Sequence, residues 1–257
     1  VKLVLHSVPG SHPCQTVERA LELKGLAYER VDLLPGASQV QQRVRFGKRT
    51  VPGLEVDGYR VSGSRLIMRT LDGLRPEPRL YPEDPAAAAA VEAADEWGDG
   101  PLQGIARLTI LYAIGHRPDS GPSFMEGANV PQLPAFVSEP FTRALFAVEV
   151  KLLAGGPPAV QKALADLPAA LDHADSLIAA GTIGGDQPNA ADLQIGGSIR
   201  LMLTLEDLRA GIDARPSGQL ARRLFSRYPG SVPAGTFPRE WLPDLAARVP
   251  AAAAAAS

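Results

Sequence analysis

The stretch RPEPRLYPEDP, Arg75–Pro85, constrains the fold more than any other part of this 257-residue chain. Proline has no N–H and a fixed φ, so neither a helix interior nor a central strand runs through Pro76, Pro78, Pro82 and Pro85. The stretch reads as a linker. What lies before it alternates between strand and helix signals, and what lies after it is almost all helical. Such a division predicts an α/β unit followed by an all-α unit.

Before the linker, KLVLH (Lys2–His6) is a short apolar run. QTVERALELKG then spaces Val17, Ala20, Leu21 and Leu23 as a helix and stops at Gly25, a residue suited to the helix C-terminus. AYERVDL (Ala27–Leu33) alternates as a strand does. A polar stretch with a Pro-Gly turn follows, with a weak helix signal through QVQQRVRFGK (Gln39–Lys48). GLEVDGYRV (Gly53–Val61) predicts a hairpin turning at Asp57-Gly58. SRLIMRTLDGL (Ser64–Leu74) returns to helix. The predicted order is βαβ, then α, then ββα.

Beyond the linker, helices are expected over Ala86–Trp97, Pro101–Ile114, Glu139–Leu153, Pro158–Ala180, Ala190–Leu208 and Gln219–Ser226. The Gly/Pro-rich segment His116–Ser138 exceeds a simple connection and suits a binding loop, a lid or a disordered stretch. The terminal AAAAAAS reads as frayed helix or tail.

A net charge of −2 gives no electrostatic reason to expect nucleic acid or an anionic membrane as partner. No apolar run reaches the length of a membrane span, and none resembles a signal sequence. The single cysteine, Cys14, excludes an internal disulfide framework. The expected location is the cytoplasm, where a lone thiol stays reduced. His116 and His173 lack metal-ligand spacing, and no metal is expected. The glycine clusters lack phosphate-loop spacing.

Chemistry concentrates in SHPCQTVERALELKG, Ser11–Gly25. A C-x-x-C pair here would need cysteine at position 11, where the chain has Ser. Dithiol chemistry is thereby excluded, and Cys14 reads as a small buried apolar residue. Ser11 is either an N-cap, a position serine favours, or a hydroxyl that acts on another molecule's thiol. His6 closes a strand, and a structural role is favoured for it.

The element order, together with RTVPGLEVDG, VSGSRLIM and GGDQPNAADLQIG, resembles the glutathione S-transferase superfamily. The resemblance implies a thioredoxin-like α/β N-terminal domain over residues 1–78, a linker over 79–87 and an all-helical bundle over 88–257. It implies that Pro52 is cis, leaving the backbone of Val51 to pair with the cysteinyl part of glutathione. Ser64 and the first N–H groups of the helix it opens would hold the γ-glutamyl carboxylate. Gly63 departs from the pattern, standing where Glu is common. Lys48 and Arg49 would pair with the glycyl carboxylate, a solvated loop charge being the alternative, and His12 would touch a ligand carboxylate. Asn189 and Asp192 would form a buried capping box with no catalytic part.

Ser11 falls where Ser-bearing classes of the superfamily keep the catalytic hydroxyl. A thiol of pKa about 8.5 is mostly protonated at neutral pH, and the thiolate is the nucleophile. A hydrogen bond to a charged group contributes roughly 1.5–3 kcal/mol, enough to lower that pKa by about one to two units. The positive end of the first helix acts in the same direction. The implied activity is conjugation of glutathione, or a related thiol, to a small electrophile. Its apolar pocket would come from Pro101–Ile114 and the following loop, with Tyr112 and Phe124 in contact with the substrate. The same site would serve a glutathione-dependent isomerase, lyase or dehalogenase, or persist in a noncatalytic binding protein. A homodimer is implied by the resemblance alone.

Overall fold

The computed structural model describes residues 1–130 and 134–245, apart from the side chains of residues 153 and 154. Its first part runs β1 (Leu3–Ser7), α1 (His12–Leu23), β2 (Glu29–Asp32), α2 (Ala37–Phe46), β3 (Gly53–Val56), β4 (Tyr59–Ser62) and α3 (Ser64–Leu74). The four strands form one mixed sheet in the order β2-β1-β3-β4, with β1 parallel to β2 and antiparallel to β3. The hairpin turns at Asp57 and Gly58, whose φ values of 48° and 90° are those an Asp-Gly turn supplies. Leu5 and Leu54, paired across the sheet, are fully buried, as are Val17 and Leu21 on α1 and Ile67, Met68 and Leu71 on α3. The helix stripes therefore close over the sheet as the sequence periodicity predicts.

The helical part comprises α4 (Pro85–Trp97), α5 (Gln103–His116), α6 (Gly121–Phe124), α7 (Ala135–Ala154), α8 (Pro157–Ala179), α9 (Ala190–Met202), α10 (Glu206–Asp213) and α11 (Pro216–Leu224). The expected α/β unit followed by helices is the architecture observed. α9 is its central helix, with every residue from Ala190 to Ile199 buried. The domains meet where α1 crosses α9. There the Thr16 hydroxyl donates to the Leu193 carbonyl at 3.1 Å, and a Cβ on Gly197 would lie 2.6 Å from that same hydroxyl oxygen. Glycine at 197 is what allows the helices so close.

The linker is tied down by Lys24, which is 1% exposed. Its ammonium donates to the Arg75 and Pro78 carbonyls at 2.7 and 2.8 Å and pairs with Asp72 at 2.6 Å, so the buried charge is matched.

Three expectations need correction. The helix expected over Ala190–Leu208 is two helices, because the backbone of Thr204 and Glu206 leaves helical pairing to bond Val232. The helix expected from Pro101 is one member of a longer run, in which a π-helical segment, Gly98–Leu102, joins α4 to α5. The segment from His116 to Ser138 is not one long loop: it holds a 3-10 turn at Pro118–Ser120, then α6, and α7 begins within it at Ala135. The run at 251–257 lies outside the described residues. Among the described residues no helix is long and apolar enough to cross a membrane.

Candidate active site

Three chain segments converge at one end of the sheet. β1 finishes at Ser7, and after a short turn Ser11 opens α1, its N–H donating to the Val8 carbonyl at 3.1 Å. β3, antiparallel to β1 with Gly53 opposite His6, enters from the cis peptide Val51–Pro52. β4 leaves at Ser62, opposite Gly53, and Gly63 donates its N–H to the Pro52 carbonyl at 3.1 Å before Ser64 opens α3. The first turns of two helices and the backbone around Pro52 thus share the edge where β1 and β4 end and β3 begins. Gly63 sits at φ 95°, a conformation that residues with a Cβ rarely adopt.

Ser11 is half-buried at the N-cap of α1, yet its side chain makes no cap hydrogen bond. The thiol of Cys14, one turn on, is fully buried, with the Ser11 and Ser7 hydroxyls and the Val8 backbone opposing the effect of burial on it. Burial pushes that thiol up to about 11, so it stays protonated and unreactive. Ser64 is buried, and its hydroxyl donates to Asp99 of the π-helical segment at 3.4 Å. Asp99 also accepts from Gln103 and Gln194, and burial holds its carboxyl above the usual range.

The helical part closes over the turn before Ser11. Phe124 packs so tightly that a Cβ on Gly10 would sit 3.0 Å from it, and one on Gly230 only 2.2 Å from its ring. Tyr228 donates its hydroxyl to the Gly10 carbonyl at 3.0 Å. The loop beyond α6 is fastened to the edge strand: Arg30 donates to the Gly127 carbonyl at 3.0 Å, and Asp32 accepts the Asn129 N–H at 2.8 Å.

The remaining sequence-derived candidates lie elsewhere or behave differently. His12, offered for a ligand carboxylate, is 5% exposed; burial, helped by Arg107, holds it at about 3, so it is neutral and brings no charge to a carboxylate. Tyr112 packs in an aromatic cluster, its ring 3.9 Å from His116, 5.5 Å from Phe237 and 5.6 Å from Trp241. Tyr112, expected as a substrate contact, is 8% exposed among these rings. Lys48 and Arg49 are exposed just after α2. Arg49 donates to Gln39 at 3.3 Å and lines, with Val40, Arg43 and Val44, a cleft of about 270 Å³. A second cleft of about 400 Å³ runs under the same helix past His6 and Gln42. Ser11 lines neither.

Sequence reasoning missed Tyr228, Asp99 and Glu18. Tyr228 stands 218 residues from its partner Gly10, with no local pattern to mark it. Asp99 lies in GDGP, which reads as a break between helices. Glu18 reads as an ordinary polar helix position, although it is buried and bonded to Ser7.

Residues 5–79 match the family described as "Glutathione S-transferase, N-terminal domain". Maleylacetoacetate isomerase from Rattus norvegicus is 32% identical over 119 residues, which are 44% of this chain and 55% of that protein, and the Mus musculus protein aligns to the same extent. The chain thus spans about half the length of the curated relatives it matches. A glutathione transferase from Populus trichocarpa superposes with a TM-score of 0.60 at 18% identity, covering 88% of this chain and 94% of that one. A glutathione S-transferase from Methylobacterium radiotolerans, in complex with glutathione sulfonate, superposes with a TM-score of 0.53 at 20% identity, covering 88% and 92%. Residues 5–79 are thus similar to the N-terminal domain of glutathione S-transferases, and the chain shares the fold of these solved structures, a thioredoxin-like first domain followed by a helical one.

Proposed function

We propose that this chain is a glutathione-dependent enzyme in which Ser11 stabilises the thiolate of bound glutathione. The observation that carries this is the placement of Ser11. Its hydroxyl makes no cap bond, and it opens α1 at the sheet end where the cis Val51–Pro52 peptide and the start of α3 converge, beneath Phe124 and Tyr228. An oxygen so placed donates to a guest sulfur, and the helix terminus favours the negative charge. Val51 offers backbone for strand-like pairing with the tripeptide, and the first N–H groups of α3 suit its γ-glutamyl carboxylate. The Ser64 hydroxyl, which donates to Asp99 at 3.4 Å, would join those N–H groups in holding it. Lys48 and Arg49, exposed just after α2, are the cations proposed for the glycyl end. The complex of the Methylobacterium radiotolerans relative with glutathione sulfonate supports the choice of thiol.

The thiolate then attacks an electrophilic carbon held on the Phe124 side. Conjugation is one outcome. A second is glutathione-dependent isomerisation, in which the thiol adds to a double bond and leaves after rotation. That reading is favoured by the 32% identity to maleylacetoacetate isomerases over 119 residues. The chain is further proposed to act as a cytoplasmic homodimer, which sedimentation of the purified protein would check.

The test is Ser11→Ala. Glutathione should still raise the melting temperature, while the thiolate's apparent pKa rises by about one to two units and turnover at neutral pH falls roughly 10- to 100-fold. A variant that turns over a generic aryl halide and a cis-trans diene substrate as fast as the parent removes Ser11 from the mechanism.

A further inference from the structure

The sheet has a second covered face, on the far side from α1 and α3. Side chains alternate along β1, so His6 points away from the face that buries Leu5. α2 lies over it, with the Phe46 ring edge-on to His6 at 5.2 Å between centroids. Gly53, directly opposite His6 on β3, makes the room. A Cβ at that position would stand 2.6 Å from the Phe46 ring and 2.8 Å from Gln42 Oε1. Glycine thus lets α2 set both side chains down against the sheet.

Two polar atoms are stranded there. Gln42 is 1% exposed and His6 is 6% exposed. Gln42 Oε1 and His6 Nε2 are enclosed, and neither has a hydrogen-bond partner among the described residues. His6 Nε2 comes within 3.4 Å of Glu55 without bonding it, and two nitrogens of Arg45 occupy that carboxylate instead. A buried polar atom left unpaired is costly, and native structures nearly always give it a partner. Both residues line the cleft of about 400 Å³ that runs under α2. Its walls include Val31, Leu33, Val40 and Val44, and the last two are 68% and 82% exposed.

We infer that this cleft is a second binding site, taking a small uncharged molecule with an apolar body and a hydroxyl group. Leu33 and the valines supply the apolar contact, and covering Val40 and Val44 removes apolar surface from water. The stranded pair selects the polar end. Gln42 Oε1 only accepts, so the ligand has to donate. The hydroxyl hydrogen goes to that oxygen, and the hydroxyl lone pairs take the N–H of His6, with the ring proton on Nε2. A ketone or ether lacks the donor, and an ammonium lacks the acceptor. Residues directly opposite in a sheet have Cβ positions about 4.5–5.5 Å apart, and Gln42 Oε1 stands beside that of Gly53. One small molecule therefore spans the pair.

Charge and place set this site apart. Burial, helped by Arg45, holds the His6 ring below its ordinary range against the pull of Glu55, so the ring is neutral at pH 7. Arg45, the permanently charged residue of the lining, is matched by Glu55. Among the described residues that line the cleft, none is left to answer an anion. Ser11 is not one of them, and the inference stands apart from the chemistry proposed at Ser11.

The probe is phenol, followed by carbon–proton NMR of the histidine rings. The chain has four histidines, and the His6 signal is the one missing from His6→Gln. Phenol should move that signal saturably, with a dissociation constant in the millimolar range, and saturating glutathione should leave the constant unchanged. Toluene, which lacks the hydroxyl, should bind about 2- to 10-fold more weakly, and benzoate should leave the signal in place. Gln42→Met keeps the volume, removes the acceptor and should weaken phenol by a similar factor. Val44→Lys, at an exposed position where folding is not at stake, should weaken it as well. A His6 signal that phenol does not move up to its solubility means that the cleft holds water only, and overturns the proposal. Toluene or benzoate binding as tightly as phenol also overturns it, as does an unchanged constant in both variants. Competition from glutathione, or a phenol shift at His12 in place of His6, would put the probe beside Ser11 and overturn the second site while leaving the first intact.

Discussion

α1 and α9 lie against each other where the domains meet, and their first turns are built on opposite plans. At the start of α9 every demand is met locally. The Asn189 side chain accepts the Asp192 N–H at 3.1 Å, Asp192 accepts the Asn189 N–H at 3.0 Å, and the second Asp192 oxygen takes the Gly184 N–H at 2.7 Å. At the start of α1 the side chain at the cap position makes no cap bond, Pro13 occupies the first turn, and no acidic residue lies there. α3 begins in the same way as α1, behind a glycine. A helix terminus that caps itself has its partial charge answered by its own side chains. One that does not is free to answer a ligand's. Of the helix starts without a side-chain cap, those of α1 and α3 meet beside Pro52, whereas the capped start of α9 belongs to the helical domain.

The comparison breaks if the capped start proves expendable, so the largest effect is expected there. Asp192→Ala leaves two backbone donors, those of Gly184 and Asn189, without their acceptor at a 1% exposed position. A loss of roughly 3 kcal/mol in urea unfolding is expected, from about 1–3 kcal/mol for each buried group left unpaired, with the thiolate pKa of the surviving folded protein unchanged. A shifted thiolate pKa would mean that α9 reaches into the chemistry.

Next in size is the acid sensitivity of α1. His12 titrates near 6.5 when free and at about 3 when buried. Between these values the unfolded chain binds a proton that the folded chain refuses, so stability falls as pH drops. At pH 5 the loss is about 2 kcal/mol, at 1.36 kcal/mol per unit over the interval from 6.5. His12→Gln should flatten that part of the curve, seen as a smaller difference between unfolding free energies at pH 7 and pH 5. An equal slope in the variant would place the acid-labile group elsewhere.

How much of this was legible in the sequence follows the range of the interactions involved. The hairpin at Asp57-Gly58 and the stripe on α1 depend on residues a few positions apart and were read from their spacing, whereas the box at Asn189 and Asp192, equally local, came with the family resemblance. The roof over Gly10 was legible only in part. Phe124 was singled out, but Tyr228 arrives from the far end of the chain. The fate of His12 and Tyr112 depends on what else is packed around them, Arg107 for the one and Phe237 and Trp241 for the other. No local pattern carries that. Glu18 was hidden for a related reason, since an acidic residue on a helix reads as a solvent-facing one until β1 is seen to place Ser7 beside it.

Gly63 supplies the third effect. Its φ of 95° is a conformation costing about 1–3 kcal/mol for a residue with a Cβ, and a Cβ there would meet nothing within 4 Å. Gly63→Ala should therefore lose stability through the backbone alone, by roughly 1–2 kcal/mol, with the loss read from the urea midpoint at unchanged m-value. A neutral substitution would show that the turn into α3 relaxes, and that this start is not fixed as the comparison requires.

The smallest effect is the most discriminating. A serine at an N-cap that bonds the first turn loses about 0.5–2 kcal/mol on change to alanine. Ser11 makes no such bond, so Ser11→Ala should change the unfolding free energy by less than about 0.5 kcal/mol, the range of substitutions away from any stabilising contact. The same substitution is the one expected to raise the bound thiolate's pKa. Stability and chemistry thus separate at position 11, and they separate in the opposite sense at Asp192. If Ser11→Ala instead loses a kcal/mol or more while the thiolate titrates as in the parent, the two starts are of one kind, and Ser11 is a cap like Asn189.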